Sequence, residues 1–230
     1  DLIWETVSTL NFGIDFGLFN NKLRGSIDVY NRETSDLFFN QFISGINGSY
    51  STTANLGDMY NRGVELGLNY DLVRGQKAED FYASVFANVA YNKNRVTFID
   101  LPDGRQDNTG SGSVVEVGHQ LNEFFVVPYR GVNPANGNLL FEDINGNLTE
   151  APTNDDRRHT GKSTNPDLQG AFGANIGYKN FFFEAQFTYM AGISRFDSDY
   201  ASYLDPTSVG TYQVTSDFER AWTPTNRVTD

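Results

Sequence analysis

Residues 10–19 read Leu-Asn-Phe-Gly-Ile-Asp-Phe-Gly-Leu-Phe. Leu10, Phe12, Ile14, Phe16 and Leu18 are large and apolar, whereas Asn11, Gly13, Asp15 and Gly17 between them are small or polar. Side chains alternate across a strand, so this period of two puts the apolar groups on one face and none on the other. The stretch also has the length of a tilted strand that crosses a bilayer. A half-buried soluble sheet uses the same alternation, so the rest of the chain has to decide between the two.

The alternation recurs. Beyond the compact turn Asn20-Asn21-Lys22, a strand over 23–38 puts Leu23, Ile27 and Val29 on one face, with Arg24, Ser26, Asp28, Tyr30 and Arg32 on the other. Over 57–72, Val64, Leu66, Leu68 and Tyr70 alternate with Glu65, Gly67, Asn69 and Asp71. Strands follow at 81–98, 168–178 and 181–190, the last two joined by Lys179-Asn180. Between them lie polar segments expected to be long loops, 39–56, 99–166 and 191–230. Turn signals stand at Pro102-Asp103-Gly104, Pro134-Ala135-Asn136-Gly137 and Asn145-Gly146. The apolar runs 121–129 and 139–141 predict local hairpins inside the central loop, and a helical turn is expected over 218–222.

Connections therefore alternate between short and long. In an antiparallel sheet this places every short connection at one end and every long one at the other, as in outer-membrane barrels. A β-sandwich scatters its loop lengths more evenly. Phe19, Tyr70, Phe81, Tyr178 and Phe181 sit beside the short turns, where a girdle of rings meets the headgroups.

Composition removes several classes. No apolar run approaches 18 residues, so no transmembrane helix is expected. A mean hydropathy of -0.45 suits strands that are apolar on one side only. The formal net charge of -12 disfavours a nucleic-acid partner. Without cysteine there is no disulfide, thiolate metal site or cysteine nucleophile. The start at Asp1, without Met or a signal peptide, reads as a mature piece or an internal segment.

Four stretches carry a specific resemblance. Residues 11–37, from Asn-Phe-Gly-Ile-Asp to Glu-Thr-Ser-Asp-Leu, resemble a barrel hairpin of SusC/RagA-like TonB-dependent outer-membrane transporters. Asn55-Leu-Gly-Asp-Met-Tyr-Asn-Arg-Gly-Val-Glu-Leu66 is similar to the strand N-x-G-x-M-x-N-x-G-x-E of that family. Gly131-Val-Asn-Pro-Ala-Asn-Gly137 and Ala221-Trp-Thr-Pro-Thr-Asn226 resemble its G-[VI]-[DN]-P-x-[NT]-G loop and x-W-T-P-x-N segment. The resemblance implies an all-β fold: a segment of an antiparallel transmembrane barrel of about 22 strands with long extracellular loops. It implies an outer membrane of a Gram-negative bacterium, contact with outer-membrane lipid, a plug domain and TonB box not present in these residues, and a SusD-like surface lipoprotein as partner. It also implies import of glycans or peptides, coupled through TonB, with no bond chemistry. The alternative is a soluble or surface-attached all-β carbohydrate-binding or adhesive domain, which would fold without detergent.

If the apolar stripe meets lipid, Asp15, Asp28, Glu65, Asn69, Asn88, Asn175, Glu184 and Gln186 line the lumen. The loop aromatics Phe38, Phe39, Phe42 and Tyr50 are candidates to stack on substrate or pack against a partner. Asp143, Asn145 and Asn147 resemble the opening of a calcium loop. Positions six and twelve, however, are Leu148 and Asn154 rather than Gly and Glu, so a plain Asn-Gly turn is the simpler reading and no cofactor is expected. Asp155-Asp-Arg-Arg-His159 reads as a solvated charge cluster. No nucleophile, base and orienting group can be assembled, so no enzymatic centre is expected.

Overall fold

The computed structural model describes residues 2–228 apart from 45, 47, 49, 76–78 and 102–103; the side chains of Phe42, Thr109 and Pro206 also lie outside the described residues. Four long strands come first: β1 (Thr6–Leu18), β2 (Leu23–Phe42), β3 (Ser51–Val73) and β4 (Tyr82–Ile99). Seven short ones follow: β5 (Arg105–Asn108), β6 (Ser113–Glu116), β7 (Glu123–Val126), β8 (Tyr129–Val132), β9 (Leu139–Glu142), β10 (Leu148–Thr149) and β11 (Arg158–Ser163). Two further long strands, β12 (Leu168–Tyr178) and β13 (Phe181–Ala191), precede the short helix α1 (Ser198–Tyr203). No helix among the described residues is long and apolar enough to cross a membrane.

The six long strands form one antiparallel sheet in the order β1-β2-β3-β4-β12-β13. Its register aligns the alternations from strand to strand. Phe12, Val29, Val64, Tyr91 and Leu168 stand side by side on one face, as do Phe16, Gly25, Leu68, Ala87, Phe172 and Phe187. Most of these apolar side chains stay exposed, Phe12 at 70% and Ile14 at 69%. A soluble sheet would bury such a face. From Leu168 to Tyr178 the stripe rises about 33 Å at about 3.3 Å per residue, which is about 25 Å along a barrel axis when strands tilt by about 40°. That is the height of an outer-membrane apolar band. Tyr70, Tyr178 and Phe181 sit on this face beside the short turns, where the girdle was expected.

The short connections are closed by local chemistry. Phe19, Asn20 and Asn21 all take positive φ, and Lys22 N–H donates to Phe19 O at 3.2 Å. Arg74 reaches across from β3 to donate to Asn20 O (2.7 Å) and Asn21 O, while its Nε bonds Asp71.

Aromatic rings lie over glycines across neighbouring strands. Phe16 faces Gly25, Tyr30 faces Gly63, Phe86 faces Gly173, Tyr82 faces Gly177 and Tyr189 faces Gly170. A Cβ on Gly63 would sit 2.4 Å from the Tyr30 hydroxyl, and one on Gly177 would sit 2.2 Å from the Tyr82 ring. Only glycine leaves room for the ring to lie flat on the partner strand.

The segment expected as a loop at 39–56 is largely strand. β2 runs to Phe42 and β3 starts at Ser51, so only 43–50 connect them. Polar composition hid this because backbone pairing continues above the apolar band, from Phe38↔Asn55 to Phe42↔Ser51. A bulge between Thr34 and Phe38 redirects the hairpin. Asp36 there has φ 63, its N–H donates to Asp58 Oδ1 at 3.1 Å and its carbonyl accepts from Asn55 Nδ2 at 2.7 Å. Asn55 and Asp58 both come from the Asn55–Leu66 motif, so part of that motif serves to pin the bulge. Beyond it Phe39, Leu56, Val96, Ile99 and Val115 form a small buried core.

The chain divides into two compact units. The first holds the six-stranded sheet with residues 114–123. The second comprises 109–113, 124–162 and 194–230, and contains the three-stranded sheet β10-β9-β8, α1 and a 3₁₀ turn at Ser216–Arg220 that answers to the expected helical turn. The expected hairpin near 139–141 is β8–β9, closed by the turn at Pro134–Gly137. Of the turn expected at Pro102-Asp103-Gly104, the first two residues lie outside the described residues; Gly104 N–H donates to Leu101 O at 3.0 Å.

Candidate functional site

The face opposite the apolar stripe carries the proposed lumen residues. Asp28 stands directly opposite Glu65, and Asn175 opposite Glu184. Asp15, Asn69, Asn88 and Gln186 share that face by register. The face is not uniform. Asp28 and Glu65 border an upper concavity of about 770 Å³, whereas Asp15, Asn69 and Asn88 border a lower one of about 460 Å³. Asn175, Glu184 and Gln186 border neither.

The upper concavity is held by a side-chain amide network that alternation alone did not single out. Tyr30 Oη donates to Asn92 Oδ1 at 2.9 Å, and the amides of Asn92 and Asn94 both donate to Asn61 Oδ1, at 3.2 and 3.1 Å. Asn94 Oδ1 in turn accepts the Leu121 N–H at 2.8 Å, and Asn165 Nδ2 donates to Leu121 O at 3.1 Å. The short segment around Leu121 is thus tied onto the wall by asparagines of β4 and of the approach to β12. The run Asn92-Lys-Asn94, with amides two residues apart on one face of a strand, was the signal available in the sequence. In the lower concavity Arg24 donates to Asn69 Oδ1 and Asp71 Oδ1, both at 3.0 Å. Among the described residues, none of these contacts pairs a nucleophile with a base. The surface offers amide, hydroxyl, carboxylate and guanidinium groups to whatever passes or rests against it.

The four loop aromatics part company. Phe39 is buried, because its position in β2 turns it toward Leu56 and Val96; it is therefore a core residue and no stacking platform. Phe38 and Tyr50 are exposed, at 43% and 78%. The Phe42 side chain lies outside the described residues.

Within the second unit, carboxylates organise the backbone. Asp143 Oδ1 accepts from the N–H groups of Asn145 and Asn147, at 2.9 and 2.8 Å, and Oδ2 from Asn147 Nδ2 at 3.2 Å. The Asp143–Asn147 stretch is thus an Asx-type turn between β9 and β10, with Gly146 at φ 86. The Asn147 donors, its backbone N–H first, hold the Asp143 carboxyl below the usual range. Glu150 accepts from the side chains of Asn138, Asn136 and Asn133, which lower its pKa and staple the Asn133–Asn138 loop. The cluster at 155–159 differs from the expected solvated patch. Asp156 is 6% exposed and its oxygens accept the N–H groups of Thr153 (2.7 Å) and Ile144 (2.8 Å), which depress its pKa. Arg158 pairs with Glu142 and donates to Asp143 O. Local backbone donors, invisible in a list of charges, make the difference. Trp222 also joins two of the motifs: its Nε1–H donates to Pro134 O at 3.2 Å and its ring covers Gly137.

An antiparallel sheet that is apolar outside over a membrane's thickness, polar inside and asymmetric in its loops defines the wall of an outer-membrane β-barrel. The chain belongs to the TonB dependent receptor-like, beta-barrel family, which matches residues 1–229. It is 30% identical to TonB-dependent receptor P3 of Formosa agariphila, over 100% of this chain and 24% of that protein. It is also 30% identical to TonB-dependent receptor SusC of Bacteroides thetaiotaomicron, over 80% of this chain and 19% of that protein. A solved structure of the RagAB peptide transporter superposes with a TM-score of 0.86 at 27% identity, covering 99% of this chain and 26% of that one. The chain therefore spans a fifth to a quarter of the length of these relatives. The family places the sheet in the outer membrane of a Gram-negative bacterium, and its members are receptors and transporters rather than enzymes.

Proposed function

We propose that this chain is part of the barrel wall of a TonB-coupled importer of large nutrients, glycans or peptides, working with a SusD-like surface lipoprotein. The observation that carries the reading is the two-sided sheet, with its apolar face outward and the amide-lined concavity inward. The likeness to a peptide transporter supports peptides as one substrate class, and the likeness to SusC supports the TonB-dependent receptor reading. On this reading Asp15, Asp28, Glu65, Asn69, Asn88, Asn175, Glu184 and Gln186 hydrate the lumen and contact the plug or the passing solute. The exposed rings of Phe38 and Tyr50 meet substrate or lid at the outer surface. Transport is gated passage: capture outside, displacement of the plug through TonB, and release on the periplasmic side.

The test is uptake of labelled oligosaccharide and peptide pools by cells carrying the intact receptor, with and without TonB. Affinity purification from mild detergent runs alongside. TonB-dependent uptake and recovery of a surface lipoprotein are expected. Uptake that persists unchanged without TonB, or a receptor that folds as a soluble monomer without detergent, would overturn the reading.

A further inference from the structure

Immediately above the apolar band, the outward face of the sheet turns basic. Arg62 and Lys93 are direct cross-strand partners, and Arg95 faces Tyr60 one step higher. These three cations occupy adjoining places on β3 and β4 in a chain of formal net charge -12. They lie on the end of the sheet that carries the long connections. Arg62 is held in place: its Nε donates to Asn31 Oδ1 at 2.7 Å and its guanidinium lies over the Tyr60 ring at 4.1 Å. The acid beside it, Glu33, is 3.9 Å away. Lys93 and Arg95 are exposed and make no hydrogen bond or ion pair with any described residue. Directly below, Phe12, Val29, Val64 and Tyr91 wall an apolar groove of about 440 Å³ with Arg62 and Lys93 at its rim.

We propose that this surface binds a phosphorylated, multiply acylated glycolipid of the outer leaflet. The phosphates would lie across Arg62, Lys93 and Arg95, and an acyl chain in the groove beneath. The chemistry is complementary at both levels. Guanidinium and ammonium groups at a membrane surface recognise anionic headgroups. Lys93 lines the groove beside Arg62, and a stem of its length carries the charge from the apolar wall to the headgroup plane, where Arg95 stands one step higher. A free phosphate would use the cations and leave the groove idle, and a neutral lipid would do the reverse. The proposal rests on the outer-membrane placement of the sheet, which detergent dependence tests separately.

Native mass spectrometry of the intact receptor, released from mild detergent, counts bound lipid. The probes are lipid A, dephosphorylated lipid A and inorganic phosphate. Wild-type receptor is expected to retain lipid A and to bind the dephosphorylated form roughly tenfold less tightly or weaker. The double variant Lys93→Gln with Arg95→Gln spares the internal contacts of Arg62 and is expected to lose lipid A to a similar degree. Lys162→Gln, an exposed lysine elsewhere, retains it. Heat-dependent gel mobility confirms that each variant is a folded barrel. Equal retention of lipid A by wild type and double variant, or equal binding of the dephosphorylated form, overturns the proposal. Inorganic phosphate bound as tightly as lipid A overturns the lipid reading in favour of a plain anion site.

Discussion

The six-stranded sheet and the second unit are built on opposite principles. In the sheet the backbone pairs with itself, and side chains are sorted by face: Phe12 and Ile14 point one way, Asp28 and Glu65 the other. In the second unit strands are two to six residues long, and side chains do the holding. Asp143 and Asp156 accept backbone N–H groups that a ladder would otherwise pair, and Glu150 gathers three asparagine side chains. The sheet's specificity is thus a matter of hydropathy and shape, and that of the second unit a matter of charge.

The sharpest way to break this comparison is to invert one position on the sheet. Phe16→Asp puts a carboxylate on the outward face and is expected to abolish membrane assembly of the intact receptor, read as loss of the heat-modifiable band. Asp15→Asn, on the inward face, leaves assembly unchanged. Equal assembly of both would show that the faces are assigned wrongly. A shape change should cost less. Gly177→Ala drives a methyl into the Tyr82 ring and is expected to destabilise by about 1–3 kcal/mol. In a Tyr82→Ala background the same substitution should be nearly neutral, so a double-mutant cycle on detergent-solubilised receptor isolates the pair.

Acid should separate the two regions. Glu142, Asp143, Glu150 and Asp156 have pKa values below their ordinary ones, Glu142 through Arg130 and then Arg158. A carboxyl with a depressed folded pKa stabilises fully above its unfolded value of about 4 and loses that contribution as pH falls through the folded value. Residues 131–158 should therefore exchange amide hydrogens faster at about pH 3 than at pH 7 after correction for intrinsic rates, while the middle of β2 and β3, away from the Asp71–Arg74 pair, keeps its protection. Uniform loosening of both would break the contrast. The smallest effect is expected from Trp222→Phe, which keeps a ring over Gly137 but loses the bond to Pro134 O. The expected cost is about 0.5–1 kcal/mol, read as local exchange at 133–138.

The same contrast explains what could be read from the chain alone. Period-two hydropathy located β12 to the residue and β13 to within one, because in the sheet each residue's face is its function. It does not reveal the upper hairpin beyond Phe38, above the bulge that Asn55 and Asp58 pin with hydrogen bonds rather than hydropathy. Phe39 was misjudged for the same reason, since its burial comes from a core made above the membrane by Leu56, Val96 and Ile99. In the second unit, Asp156 and Arg158 looked like a solvated run because their partners, Ile144 N–H and Glu142, come from another part of the loop. The Asn61–Asn92–Asn94 network likewise joins two strands whose pairing no single stretch reveals.

The glycine–ring pairs bear on how such a wall finds its alignment during insertion. A strand that slips by one position swaps lipid and lumen faces, and the bilayer itself rejects that error. A slip by two keeps the faces and is invisible to lipid. It is not invisible to Tyr30, which would meet Asn61 or Glu65 in place of Gly63, nor to Phe86, which would meet Ala171 or Asn175 in place of Gly173. The rings act as proofreading pegs for the mistake that hydrophobicity cannot detect.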